Sequence, residues 1–178
     1  MRVTKRNGET EDVSFDKVTR RIRKLCQETP VCTTIDPVAI AQKVCSRIYD
    51  GVTTSELDEL AAQIAVSLQT EHPEYGILAQ RIIISNNHKT TNPIFSETVE
   101  YLREHDRVSH EVSGVVHAHR ERLNAAVVHR RDYTFDYFAF KTLENAYLIK
   151  VKGVVVERIQ YMFMRVALGI HGNDVDAA

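Results

Sequence analysis

The sequence predicts a mainly α protein: an N-terminal β-hairpin followed by a four-helix bundle, then a partial α-helical segment with one further β-hairpin. Three observations predict this fold class. Asn7-Gly8 lies between two short arms, which is a strong hairpin signal. Apolar residues then recur at helical spacing from Phe15 to Ile82. Further on, Lys152-Gly153 interrupts an apolar, β-branched run, which indicates a second hairpin.

The first hairpin is predicted to have arms of residues 2–6 and 9–13. A two-residue type I′ turn needs positive φ at both central residues, and Asn followed by Gly tolerates this best. We therefore expect a type I′ turn at Asn7-Gly8. Ser14 is then placed to cap a helix, and Asp16 in its first turn suits the positive end of the helix dipole.

Four helices are expected next, because each begins at a recognisable signal. The start signals are Ser14, Asp36-Pro37, the capping box Thr53-x-x-Glu56, and Pro73. In the first helix Val18, Ile22 and Leu25 share one side. That pattern leaves the basic run from Arg20 to Lys24 as a solvated helix face, and we expect no nucleic-acid partner there.

A polar stretch without clear periodicity divides the chain. We predict three regions: a first domain over 1–95, a linker over 96–114 that is part helix and part loop, and a second helical region over 115–178. The second region shows no evident closed core of its own, so we expect it to expose apolar surface.

Within the second region we expect one helix from Val115 to about Val128, followed by an aromatic-rich helical patch at 133–140. After the second hairpin, a last helix should run from near Gln160 to Ile170. The final residues look like the start of another helix, which suggests a fragment of a longer protein.

Composition narrows the class of protein. The chain has 178 residues, 43% of them hydrophobic and 26% charged, with a net charge of −1. These values are typical of soluble globular proteins, and they argue against a surface built throughout for nucleic acid. No apolar run reaches membrane-spanning length and no signal-peptide core is present, so we expect a cytoplasmic protein with no membrane partner.

The residues that commonly bind metal do not form a ligand pattern. Cys26, Cys32 and Cys45 are odd in number and include no C-x-x-C pair, so we expect reduced, mostly buried thiols. Five histidines fall between His105 and His129, but no cysteine or acid lies at a ligand-like spacing. We therefore expect no metal site.

A cluster of cations is the clearest sign of function. Lys5, Arg6 and Lys17 surround the start of the first helix, where unpaired N–H groups already favour an anion. Charge-assisted hydrogen bonds from lysine and arginine to phosphate are stronger than neutral ones. The arrangement predicts a polyphosphate site.

Several sequence segments resemble one known family. KRNGETEDVSFDK, DPVAIAQKV, GVTTSELDELAA and HPEYGILAQRIIISNNHK are similar to the ATP-cone, the N-terminal nucleotide-sensing domain of class I ribonucleotide reductase large subunits. The segment from DYTFDYF to the C-terminus resembles the part of the same subunit that leads toward its catalytic barrel. The chain departs from this family at Ile159, usually a proline, and at Tyr161, usually a histidine, and its linker looks shortened.

The resemblance implies a function. The chain would be the activity-control segment of ribonucleoside-diphosphate reductase, an oxidoreductase that makes deoxyribonucleotides for DNA synthesis. Its effector would be ATP or dATP with Mg²⁺, and it would carry no cofactor of its own. Its partners would be the radical-generating small subunit and other large subunits. The family's radical cysteines match none of the three cysteines here, so we expect no catalytic residue and no activity from this segment alone.

The resemblance also implies a set of nucleotide-binding residues. These are Lys5, Arg6, Glu11, Asp12, Val13, Ser14, Phe15, Asp16, Lys17, Thr54, Asp58 and Lys89. Thr54 and Asp58 are four residues apart and so share one helix face. The Asp58 carboxylate could accept from the adenine amino group, while Val13 and Phe15 could form an apolar wall for the base.

Two other functions are compatible with an ATP-cone. A free-standing nucleotide sensor could regulate a reductase through oligomer contacts. A transcriptional repressor would join the cone to a zinc ribbon, which needs two C-x-x-C pairs ahead of it. The sequence has no such pairs, so the repressor is disfavoured.

Overall fold

The computed structural model describes residues 1–178 and confirms a mainly α fold. It divides into two compact units, one of residues 1–86 with 135–138 and the other of residues 87–134 with 139–178. The helices are α1 Phe15–Cys26, α2 Pro37–Cys45, α3 Thr54–Ser67, α4 Glu74–Thr90, α5 Phe95–Glu104, α6 His110–Ala118, α7 Arg120–Ala126, α8 Tyr137–Ala146 and α9 Ile159–His171, with a 3₁₀ helix at His129–Thr134. The strands are β1 Arg2–Thr4, β2 Thr10–Asp12, β3 Val52–Thr53, β4 Lys150–Val151 and β5 Val154–Val155.

The N-terminal hairpin is part of a three-stranded sheet with the order β2-β1-β3. β1 pairs antiparallel with β2, with Val3 opposite Glu11, and parallel with β3, with Val3 opposite Val52. Val3 is buried as a result. The third strand was not expected from the sequence, and it places the start of α3 directly after a strand paired with β1.

The turn of this hairpin differs from the predicted type I′ turn. Gly8 has a φ of +85°, but Asn7 is not among the residues with positive φ. The Gly8 amide donates to the Lys5 carbonyl at 3.0 Å and the Lys5 amide donates to the Glu9 carbonyl at 2.8 Å. The loop is therefore a turn followed by one glycine in the left-handed region, the common three-residue alternative. The Asn7 side chain accepts from the Glu9 amide at 3.1 Å, which stabilises this form.

The four helices predicted for the N-terminal unit are confirmed, and so are the caps predicted for the first three. Ser14 accepts from the Lys17 amide, and the Asp36 carboxylate accepts from the Val38 amide at 2.9 Å. Thr53 and Glu56 form the expected reciprocal capping box. The core of this unit includes the buried residues Ile22, Leu25, Ile40, Val44, Ala62, Leu78 and Ile82.

The second unit corrects one sequence expectation. A single helix was predicted from Val115 to about Val128, but α6 ends at Ala118 and α7 begins at Arg120. His119 between them has φ −115° and ψ 24°, outside the helical region. The break allows apolar residues from both helices to pack into one core. Burial in that core therefore stabilises two short helices over the single helix that the sequence predicted.

That core draws on four helices. Its buried members are Phe95, Val99, Val115, Val116, Leu123, Tyr161 and Leu168. Both positions that depart from the resembled family are buried: Ile159 begins α9, and the Tyr161 hydroxyl donates to the Asn92 carbonyl at 3.0 Å. The stretch predicted as part helix and part loop holds α5 and the start of α6. The division into 1–95, 96–114 and 115–178 stays a prediction.

The remaining C-terminal elements follow the sequence closely. β4 and β5 form the second hairpin, with positive φ at both Lys152 and Gly153. α9 spans Ile159–His171, within one residue of the predicted bounds, and Gly172 follows it. The aromatic patch is a 3₁₀ helix followed by the start of α8. The Asp174 carboxylate accepts from the Ala177 amide at 3.1 Å, so the final residues begin one capped turn.

Burial agrees with two further expectations. Cys26 and Cys32 are buried, Cys45 is half-buried, and all three are free thiols. The expected exposed apolar surface is present in the second unit, at Tyr147, Val154, Phe163, Val166 and Ile170. No helix in the structure combines the length and apolar character that a membrane crossing requires.

Candidate nucleotide-binding site

The hairpin turn directs Arg6 onto the start of α3. Its guanidinium donates to Thr54 Oγ1 at 3.3 Å and to Asp58 Oδ2 at 3.2 Å. It also donates to the Asn86 side-chain oxygen. This position follows from the sheet, because pairing of β1 with β3 holds the first turn of α3 next to the hairpin. The structure thus brings Arg6 together with Thr54 and Asp58, which lie 48 and 52 residues further along the chain.

Asp58 is buried and paired with a second arginine. Arg21 Nε donates to Asp58 Oδ1 and Arg21 Nη2 donates to Oδ2, both at 3.3 Å. The same Nη2 donates to Ser85 Oγ at 3.0 Å. The Asp58 side chain is 10% exposed and that of Arg21 is 23% exposed. Two guanidinium groups therefore meet one carboxylate, which leaves a local excess of positive charge.

The position of Arg21 corrects the prediction that the basic run of α1 is a solvated face. Arg20, Arg23 and Lys24 are exposed as expected, but Arg21 turns inward. A charged side chain at low exposure needs a partner, and Asp58 supplies it. The signal available in the sequence was weak, because an arginine on the border of an apolar face is common on surface helices.

Asn86 is a further site residue that sequence reasoning missed. It is buried in α4, where its side-chain oxygen accepts from Ser55 Oγ at 3.1 Å. Its amide nitrogen donates to the Ser55 carbonyl at 3.3 Å. Asn86 therefore joins α4 to the first turn of α3. A polar residue at the end of an apolar helical run was the only sequence signal for it.

A second group of charges lies along the hairpin itself. The Glu11 carboxylate is 3.2 Å from Lys5 Nζ and 2.8 Å from Lys17 Nζ. Hydrogen bonds from Lys17 and then Lys5 lower the pKa of Glu11, and the hydrogen bond to Glu11 raises the pKa of Lys5. Both lysine side chains are well exposed, at 38% and 59%. The two ammonium groups are therefore close together and accessible to an anion.

The rest of the predicted junction follows the chain from β2 into α1. Val13 and Ser14 are half-buried, whereas Asp12 and Asp16 are exposed. Phe15, the first residue of α1, is 38% exposed. The junction therefore offers an accessible aromatic ring beside a helix N-terminus, which can accommodate an apolar base edge as well as an anion.

Lys89 is the remaining residue of the predicted site. It is exposed in the last turn of α4 and belongs to the second unit. Its contribution to a nucleotide site stays a prediction.

Comparison with known proteins finds two families in this chain. Residues 1–90 match the family described as the ATP cone domain. The chain belongs to the ATP-cone family. Residues 133–178 of this ATP-cone protein match a second family, described as the ribonucleotide reductase all-alpha domain. The two matches occur in the order that the sequence resemblance implied.

Relatives of the ATP-cone protein match it along almost its whole length. It is 48% identical to the ribonucleoside-diphosphate reductase large subunit of Caenorhabditis elegans over 99% of the chain. It is 46% identical to the large chain of Schizosaccharomyces pombe and 48% identical to the large subunit of Monkeypox virus, each over 100% of the chain. The chain spans only 23–24% of the length of these relatives, and corresponds to their N-terminal part.

Proposed function

We propose that residues 1–90 bind ATP and dATP as allosteric effectors and control the activity of a ribonucleoside-diphosphate reductase large chain. The observation that supports this most directly is the convergence of Arg6, Thr54 and Asp58, together with Arg21, where the hairpin meets α3. The match to the ATP cone domain covers all of these residues.

The triphosphate would bind at the cationic side of this site. Lys5, Arg6 and Lys17 supply positive charge, and the first turn of α1 adds unpaired amide groups and the positive end of the helix dipole. Mg²⁺ would enter with the triphosphate and neutralise part of its charge. Glu11 holds Lys5 and Lys17 near each other before the nucleotide arrives.

The base would be selected by Asp58. Adenine carries an amino group that can donate to a carboxylate, whereas guanine carries a carbonyl oxygen at the same ring position. A carboxylate repels that oxygen, so an adenine nucleotide is preferred. Val13 and Phe15 are placed to contact the apolar faces of the ring. Together these groups would discriminate adenine from guanine nucleotides.

Control of a distant reaction requires that ATP and dATP bind differently to two states of the enzyme. We propose that those states differ in how large subunits associate with one another and with the radical-generating small subunit. The complete enzyme would reduce ribonucleoside diphosphates for DNA synthesis in the cytoplasm.

This segment is proposed to be inactive as a reductase when it acts alone. Burial raises the pKa of the Cys26 thiol to about 11, and burial also raises the pKa values of Cys32 and Cys45. Reactive thiols require the opposite shift, since the thiolate is the reactive form. The purified chain should therefore show no reduction of a ribonucleoside diphosphate, even with a dithiol reductant present.

Calorimetric titration with ATP tests the binding proposal. Wild type should bind ATP and dATP more tightly than GTP, and Lys5→Ala/Arg6→Ala should weaken ATP binding by about 100-fold or more, because each lost charge-assisted contact is worth about 1.5–3 kcal/mol. The matched control is Arg23→Ala/Lys24→Ala, which removes two exposed cations from the same unit. Equal loss in both double variants, or equal affinity for ATP and GTP in wild type, would contradict the proposed site.

A further inference from the structure

Asp58 is held in different ways by its two arginines. Arg21 donates to both carboxylate oxygens, through Nε to Oδ1 and through Nη2 to Oδ2. Arg6 donates to Oδ2 only, and also donates to Thr54 and Asn86. A two-point contact fixes the plane of a carboxylate, and a one-point contact does not. The orientation of Asp58 therefore depends on Arg21 more than on Arg6.

The two arginines also differ in what supports them. Arg21 lies within α1, and its Nη2 is held by Ser85 of α4 at 3.0 Å. Arg6 lies in the three-residue loop of the hairpin, two residues before Gly8. A side chain anchored between two helices keeps its place when a ligand binds, whereas a loop side chain can turn toward the ligand.

Arg21 is needed to keep the Asp58 carboxylate paired when Arg6 moves away from it. If Arg6 turns toward a triphosphate, Asp58 loses one cation while its side chain is only 10% exposed. A carboxylate that is unpaired at such low exposure is strongly disfavoured. Arg21 keeps it paired, so the position on Oδ2 that Arg6 leaves becomes available to a different donor.

We propose that Arg21 is a positioning residue for adenine recognition, holding the Asp58 carboxylate so that the adenine amino group can replace Arg6 on it. This inference rests on the proposed function and adds a residue to it. Arg21 would determine base selectivity without contacting the nucleotide. Arg6 would pass from the carboxylate to the phosphates on binding.

The test compares three ligands by calorimetry: ATP, GTP and inorganic tripolyphosphate. Arg21→Met should lower the ratio of ATP to GTP affinity by about tenfold or more, because one charge-assisted contact to the base is lost. Tripolyphosphate affinity should change only as much as in Arg20→Met, which removes a neighbouring but exposed cation. Arg21→Lys keeps the charge without the two-point contact, so its selectivity should also fall. Circular dichroism verifies folding, and Arg21→Lys carries the comparison if Arg21→Met unfolds.

Each other outcome has a definite meaning. A wild type that fails to prefer ATP over GTP overturns the proposed function and this inference together. A selective wild type with an equally selective, folded Arg21→Met overturns the role of Arg21 alone. If Arg21→Lys keeps the full preference for ATP over GTP, a positive charge at this position is enough for selectivity, which overturns the proposal that the two-point contact positions Asp58. A loss of tripolyphosphate affinity as large as the loss for ATP shows that Arg21 binds phosphate, which also overturns it.

Discussion

At the scale of single residues, Asp58 links four parts of the ATP-cone unit. Its carboxylate accepts hydrogen bonds from Arg6 of the hairpin and from Arg21 of α1. Arg6 also donates to Asn86 of α4, and Arg21 also donates to Ser85 of α4. The sequence pointed to Asp58 and Arg6 through the family resemblance. It did not point to Arg21, because Arg21 and Asp58 are 37 residues apart and the spacing of residues in a helix does not predict such a contact.

Glu56 is a second residue whose local role has a measurable consequence. Its carboxylate accepts from the Thr53 amide and hydroxyl, both at 2.8 Å, and from the Tyr49 hydroxyl at 2.9 Å. The bond from the Thr53 amide is the largest cause that lowers the pKa of Glu56 below its ordinary value of 4.5. Stability from this capping box is therefore present above that ordinary value and is lost as the pH falls through the lowered pKa.

Glu56→Gln is predicted to flatten this pH dependence. Glutamine can still accept from the Thr53 amide, so stability near neutral pH should change by less than about 1 kcal/mol. Between roughly pH 5 and pH 3, the variant should lose less stability than wild type. Urea denaturation across that range measures the difference. Glu28→Gln, at an exposed position, is the control, and parallel pH curves for Glu56→Gln and wild type would show that the cap does not titrate as described.

At the scale of elements, signals contained within one turn of chain were reliable. The predicted caps Ser14, Asp36 and Thr53 each begin a helix in the structure. These signals work because the hydrogen bonds that they predict are local.

Elements that depend on distant partners were missed or misplaced. β3 has only two residues and exists because β1 lies beside it. The break at His119 separates α6 from α7 because residues on both sides pack into one core. In each case the contact that determines the structure joins residues far apart in the chain, whereas helix and strand prediction uses only the spacing of neighbouring residues.

Helix α9 allows a direct comparison between its inner and outer faces. Leu168 is 1% exposed in the core of the second unit, whereas Ile170 is 72% exposed two residues later. Leu168→Ala should lower the free energy of unfolding by about 2–5 kcal/mol, because it leaves a cavity among packed side chains. Ile170→Ala should change it by less than about 0.5 kcal/mol. Chemical denaturation followed by circular dichroism measures both, and equal losses would contradict the assigned orientation of α9.

At the scale of the whole molecule, the candidate site lies within the first unit except for Lys89. The site residues of the hairpin, α1 and α3, together with Ser85 and Asn86 of α4, all fall within Met1–Asn86. The family match to residues 1–90 covers the same part of the chain. Nucleotide binding is therefore proposed as a property of this unit, and the regulated reaction is proposed for the much longer reductase chains that its relatives represent.

Hydrogen–deuterium exchange with and without nucleotide tests this claim most directly. With ATP and Mg²⁺ present, amides in residues 2–17 and 52–58 should exchange more slowly, because the ligand would join the hairpin, the start of α1 and the start of α3. GTP at the same concentration should protect them much less. Protection confined to the second unit, or equal protection by both nucleotides, would contradict an adenine-nucleotide site at the junction of the hairpin with α1 and α3.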